Sequence, residues 1–408
     1  MATSKQTRSG FFALLGPALV AGVAYLDPGN VATNLSAGTQ YGYLLLWVLV
    51  AANLIAWLVQ FLAAKLGLAT NKSLSRIMGE RLKSRFTRIL YWLQAQLVAI
   101  ATDLAELIGG AVALNLLFGW PLLAGCLATA VVSTALLYMK AAGRAKSFEY
   151  VIFGLIVLTG FGFISAITSW TPVAGDFLAG LIPTLTDEGS AVLALGIFGA
   201  TIMPHAVYVH SALSRDRLGP IANGLDDRRL VRIIKWDVSI AMLIAGTVNI
   251  ALLVLGAVIG TTEAGQDIIT AVFNEILSAG GATFAVFFAL ALLASGLSST
   301  SVGTYAGEVI FDGLLIKKSL PLLVRRLITL VPALFVLSLG LGATDVLVLS
   351  QVFLSFGIPF ALFPLIRLTS DTKLMGELRN ATSVKVLGYT IASALSGLNL
   401  WILFQALS

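Results

Sequence analysis

Apolar residues in this chain come in long, nearly unbroken blocks separated by short polar stretches, without the alternation that marks a half-buried strand. Eleven blocks can be drawn, at 11–36, 41–69, 86–118, 121–140, 147–170, 189–214, 232–260, 268–300, 320–340, 345–368 and 384–407. As helices they are long enough to cross a hydrocarbon core of roughly 30 Å. Strands of a membrane barrel need only about ten alternating residues, a different pattern. The blocks predict an all-α polytopic membrane protein, a single transmembrane domain over residues 1–408.

Composition supports this class: 58% of residues are hydrophobic and 11% charged, and the mean hydropathy of +0.94 is too high for a soluble core. Charge adds an orientation. With a cytoplasmic N-terminus, the tail, the loops 70–88, 140–147, 214–235, 301–326 and 367–385, and the helix ends beside them hold all 26 Lys and Arg. The opposite connections carry only acids: Asp176, Asp187, Glu188, Glu263, Asp267 and Asp345. This is the positive-inside asymmetry, with the C-terminus extracytoplasmic. The net charge of +6 is thus a topology signal and predicts no nucleic-acid partner. The single cysteine, Cys126, excludes an intrachain disulfide and a cysteine metal cluster. Phe11 to Ala24 runs into a polar break without a small-residue cleavage pattern, so no cleavable signal peptide is expected.

Two blocks are interrupted in a related way, the first at Asp27-Pro28-Gly29-Asn30 and the sixth at Met203-Pro204-His205. Five spans separate the breaks. Five is odd, so a second five-helix repeat would enter from the opposite side, giving inverted repeats over 11–170 and 189–368 with an additional helix at 384–407. Discontinuous helices of such repeats place a substrate near the midplane, where the breaks meet. The plainer reading is a pair of proline kinks, but a kink requires neither the carboxylate of Asp27 nor a partner half a chain away. Unwound carbonyls, the Asp27 carboxylate and the Asn30 amide oxygen suit a cation. The Met203 thioether is of little use to Mg²⁺ or Ca²⁺ and acceptable to softer metals. With one or two carbonyls from Ala24 or Ala200, the set suits Mn²⁺ or Fe²⁺, unless Met203 only packs.

The break motifs, together with ATDLAE from Ala101 to Glu106 and LLASGLSS from Leu292 to Ser299, resemble the natural resistance-associated macrophage protein family, Nramp. The likeness runs from about Leu15 to Gly397 and has the flavour of the bacterial manganese importers. It implies a LeuT-like fold of ten helices plus an eleventh, in the inner (plasma) membrane, and proton-coupled import of divalent transition metals with no resident cofactor and no obligate protein partner. It carries metal coordination to Asp27, Asn30, Met203 and the backbone carbonyls of Ala24 and Ala200, with Gln351 joining in an occluded state.

The proton side has its own signals. The chain has two histidines, His205 and His210, both just after the second break, and an imidazole titrates near pH 6.5. Asp103 and Glu106 share one helix face where lone carboxylates are expensive, so Arg325 and Arg326 are expected as partners. Together with Asp27 and His205 these residues resemble the family's proton route, or else form a structural ion-pair network with His205 as a packing group. Many relatives carry a glutamate where this chain has Gln96, which leaves the coupling stoichiometry open. The small residues of Ala294 to Gly303 are expected to serve close helix packing.

Rival classes are weaker. Asp27 would repel the carboxylate of an amino-acid substrate in a sodium-coupled symporter of the same architecture. A membrane metalloenzyme would need a ligand set such as HExxH, which is absent. A metal channel without proton coupling is separated only by flux measurements.

Overall fold

The computed structural model describes residues 22–141, 144–222, 227–261, 266–315 and 321–407. Lys5, Arg8, Glu263, Lys317, Lys318 and the expected beginning of the first span at 11–21 lie outside them. The described residues form helices and connecting loops, with no strand among them.

The first break separates a 3-10 turn, Val23–Leu26, from α1, Pro28–Tyr41. After α2, Leu46–Thr70, comes α3, Leu74–Arg81, a short helix in what reads as a loop, capped by the Ser73 hydroxyl on the Arg76 N–H. The first repeat continues with α4, Arg85–Phe118, α5, Leu122–Ala141, and α6, Ala145–Ala166, followed by the short α7, Ala174–Ala179. The second repeat opens with the broken pair α8, Glu188–Ile202, and α9, Pro204–Ala222, then α10, Asp227–Ile259. The block expected at 268–300 is not one helix. It begins as α11, Ile268–Glu275, widens into a π-helical turn over Ile276–Gly280, breaks at Gly281 with φ +87°, and resumes as α12, Ala282–Leu315. Only glycine adopts that φ without strain. The chain ends with α13, Leu322–Ser338, α14, Ala343–Thr369, the single turn α15, Thr372–Met375, and α16, Thr382–Leu407.

Nine stretches among the described residues are long and apolar enough to cross a membrane, the broken α8–α9 pair counting as one. The other two expected spans correspond to the described part of the first span and to α13, which has 17 residues. Large apolar side chains point outward along these helices, Leu243 being 70% exposed and Phe404 68%. Such a surface suits lipid and would aggregate in water.

Packing follows the exchange expected of two inverted repeats. α1 lies along α10, and α9 lies along α2 in the equivalent relation. α4 and α12, equivalent members of the two halves, pack on each other. Their closeness has a local cause: a Cβ at Gly296 of α12 would meet the backbone of Glu106 and Gly110 at 3.0 Å. This stacks α12 directly on α4 and brings both breaks against the same buried polar center.

Candidate functional site

Asp27 is the N-cap of α1, with Pro28 at the first helical position. Its Oδ1 accepts hydrogen bonds from the Asn30 backbone N–H and side-chain Nδ2, both at 2.8 Å, while Oδ2 accepts none. Proline at the first helical position leaves no N–H there, and Pro204 begins α9 in the same way. The helix starts at both breaks therefore present fewer donors, and carboxylate and carbonyl oxygens prevail between them.

The breaks are joined by one side chain. Asn30 Nδ2 also donates to the Ala200 carbonyl at 2.9 Å, across 170 residues of sequence. Its own Oδ1 accepts no hydrogen bond. Ala200 is two residues before the end of α8, and Ala24 lies in the 3-10 turn; both are buried. Met203, fully buried, is the C-cap of α8 with φ +44° and ψ +90°, and its N–H donates to Gly199 O at 3.3 Å. Apart from Asn71, it is the only non-glycine residue with positive φ among the described residues. Such backbone costs about 1–3 kcal/mol and persists where its surroundings over-determine it, commonly at functional sites.

Two glycines admit Gln351 from α14. A side chain on Gly29 would collide with the Gln351 carboxamide, and one on Gly199 would collide with the Gln351 carbonyl. The amide of Gln351 donates to Ser350 Oγ at 3.2 Å, and Oε1 accepts nothing. Three buried oxygens, Asp27 Oδ2, Asn30 Oδ1 and Gln351 Oε1, thus stand at the first break without a proton donor, a condition that favors a cation. The described residues contain no group of three or more His, Cys, Asp and Glu side chains able to hold a metal. Any cation here would rest on the single Asp27 carboxylate supplemented by amide, carbonyl and thioether donors.

Other carbonyls freed by the break are held from outside. Asn249 of α10 donates to Tyr25 O at 3.0 Å, and Ser295 of α12 donates to Leu26 O. The expectation that Ala294 to Gly303 serves packing alone is corrected here: Ser295 also supports the break. Ser295 belongs to the LLASGLSS motif, whereas Asn249 carried no sequence signal beyond being polar in an apolar block.

His205 and His210 face different partners. His205 Nδ1 lies 3.1 Å from Thr102 Oγ1, whose proton is already given to Val98 O at 3.0 Å. Nε2 has no hydrogen-bond partner. His210 Nδ1 faces Gln60 Oε1 on α2 at 2.9 Å. Of the two, His205 is the one whose hydrogen bond reaches the helix that carries Asp103 and Glu106.

Arg326 meets Asp103 as expected. Its Nη1 donates to both carboxylate oxygens at 3.0 Å, Nε to Thr134 Oγ1 at 3.0 Å and Nη2 to Ser133 Oγ at 2.6 Å. Arg325 does not pair with Asp103 or Glu106, contrary to expectation. The next residue on a helix points about 100° away, and Arg325 Nη1 reaches Glu308 of α12 at 2.9 Å. Glu106, also fully buried, has no ion-pair partner among the described residues. A cavity of about 200 Å³ borders Asp103, Gln96, Thr304 and Arg325. Glu308 lines a separate, polar vestibule of about 660 Å³ with Lys72, Arg76 and Asp312.

Interrupted helices of two inverted repeats, meeting around a buried polar center in an apolar shell, define a secondary transporter of the LeuT architecture. The profile described as natural resistance-associated macrophage protein-like matches residues 18–405. The chain belongs to the Nramp family, and it is a transporter rather than an enzyme. It is 50% identical over 391 residues to the divalent metal cation transporter MntH of Mycobacterium tuberculosis, covering 96% of this chain and 91% of that one. The crystal structure of the Eremococcus coleocola manganese transporter in complex with an aromatic bis-isothiourea substituted compound superposes with a TM-score of 0.85 at 31% identity, covering 98% of this chain and 88% of the other. MhsT in complex with L-phenylalanine, at 18% identity and a TM-score of 0.65 over 98% of this chain and 99% of that one, shares the fold.

Proposed function

We propose that the protein imports divalent transition-metal ions, Mn²⁺ foremost and Fe²⁺ as well, in symport with protons and by alternating access across the inner (plasma) membrane. The observation that carries this reading is the set of donor-free oxygens on Asp27, Asn30 and Gln351 at the first break, which Asn30 ties to the Ala200 carbonyl three residues before the buried thioether of Met203. The transported ion takes Asp27 Oδ2, Asn30 Oδ1, the Met203 sulfur and carbonyls of Ala24 and Ala200, and Gln351 Oε1 joins when the site is occluded. Replacing hydration water with a thioether costs Ca²⁺ and Mg²⁺ more than it costs Mn²⁺, which is the source of selectivity.

Asp27 couples the two fluxes because its free oxygen accepts either a metal or a proton. His205, bonded to Thr102, neighbors the helix of Asp103 and Glu106, and Arg326 fixes the Asp103 carboxylate toward the cavity that continues the route. Arg325 takes part as a wall of that cavity. Gln96 lines the same space and carries no proton.

The test is uptake into proteoliposomes, with Mn²⁺, Ca²⁺ and proton entry followed together for the wild type and Met203→Ala. Wild type should admit Mn²⁺ with protons and refuse Ca²⁺, and the variant should begin to admit Ca²⁺. Mn²⁺ flux that collapses its gradient without proton movement would indicate a channel. Unchanged selectivity in the variant would mean that the thioether only packs.

A further inference from the structure

At the basic end of the helices, away from the breaks, α3, α14 and α16 enclose a groove of about 510 Å³. Its rim carries Arg81 and Arg367, and its floor carries Phe363, Pro364, Leu82 and Tyr389. The two arginines differ. Arg81 Nη2 bonds Asp371 Oδ2 at 2.9 Å, and that bond, with the Lys373 N–H, holds Asp371 below the usual carboxylate range, so the pair stays charged and largely cancels. Arg367 is exposed in the last turn of α14 and makes no ion pair or hydrogen bond among the described residues. The groove therefore holds one uncompensated guanidinium.

Depth identifies what this charge faces. Arg367 is two residues from the end of α14, and Tyr389 is two turns inside α16, packed on Phe363 at 6.1 Å between ring centroids. From the helix ends to these rings is about 10 Å along the axis. Within that span Phe363 lies one turn, about 6 Å, deeper than Arg367, which is about the thickness of the head-group layer, and aromatic rings collect at that interface. An inorganic anion would use the guanidinium and leave the apolar floor uncovered. A phospholipid would use both, its phosphate on the fork of Arg367 and its first methylenes along Phe363 and Leu82.

We infer that this groove is a binding site for one anionic glycerophospholipid of the adjacent leaflet. Because it touches three helices from both ends of the chain, an occupant would tie α16 to the transport core. The site is independent of the transported ion.

Native mass spectrometry of the purified protein, supplied with phosphatidylglycerol and phosphatidylethanolamine in equal amounts, tests it. The wild type should retain one phosphatidylglycerol in preference. Arg367→Gln should lower that retention by about fivefold, the equivalent of the ~1 kcal/mol one basic residue contributes near an anionic surface. Arg232→Gln, an exposed arginine at the start of α10, should leave it unchanged. Equal retention in Arg367→Gln overturns the inference, as does displacement of the lipid by millimolar inorganic phosphate, which would reduce the groove to a simple anion site. If Arg367→Gln fails to fold, wild-type retention alone decides: indifference between the two lipids rejects the site.

Discussion

Gly29 separates room from chemistry at the candidate site. Its missing side chain is what lets the Gln351 carboxamide lie against the first break. Gly29→Ala adds a methyl where only the far end of a flexible side chain must move, and alanine suits a helix better than glycine. The melting temperature in detergent should therefore change little. Mn²⁺ affinity, read by calorimetry, should weaken about 10-fold, the lower end of the loss seen when a supporting group at a metal site is disturbed. A variant that melts normally and binds Mn²⁺ as tightly as wild type would remove Gln351 from the proposed ligand set. Asp27 and Met203 were legible in the sequence because a carboxylate and a thioether at a proline break are chemically conspicuous. Gly29, Gly199 and Thr102 were less so, since their roles depend on which side chain arrives from a distant helix. The split between Arg325 and Arg326 was hidden for the same reason: adjacent residues of one helix serve different neighbors.

Among the elements, the α4–α5–α13 contact rests on a buried charge pair. Asp103 and Arg326 have side-chain exposures of 2% and 5%, and Ser133 and Thr134 of α5 accept two of the three remaining guanidinium protons. Removing one partner of such a pair typically costs about 3–5 kcal/mol because the other charge stays buried. Arg326→Ala should lower unfolding stability by about that much, and the double variant with Asp103→Asn should recover a good part of it in the same denaturation assay. Recovery of stability without recovery of proton entry would assign the pair to the proton route as well as to the fold. Hydropathy located the long helices well, because each block is apolar over a full span. It missed the division of the eighth block, since Gly280-Gly281 barely alters mean hydropathy and yet permits the φ that turns the chain. It also read Leu74–Arg81 as loop, because the helix is short and polar and its cap, Ser73, is a local signal.

For the whole molecule, the basic loops and acidic connections predict an orientation that chemistry on intact cells can check. In a Cys126→Ala background, Asp345→Cys should react with a membrane-impermeant maleimide from outside, and Lys72→Cys only after permeabilization. Both positions are exposed, so silence at either is informative. The reverse pattern would invert the topology. Inverted repeats were legible from the odd number of spans between the breaks, whereas the coupling of both halves through Asn30 required the packed structure. In the proposed alternating-access cycle, the backbone of Met203 would bear on the balance between inward-facing and outward-facing populations. A conformation that lets this residue leave φ +44° recovers the ~1–3 kcal/mol held there, a shift of roughly 5- to 150-fold in population. Glycine at 203 lacks the thioether as alanine does but bears none of that penalty. Any difference in transport rate between Met203→Gly and Met203→Ala would then measure how far the protein leans toward one side of the membrane before any ion arrives.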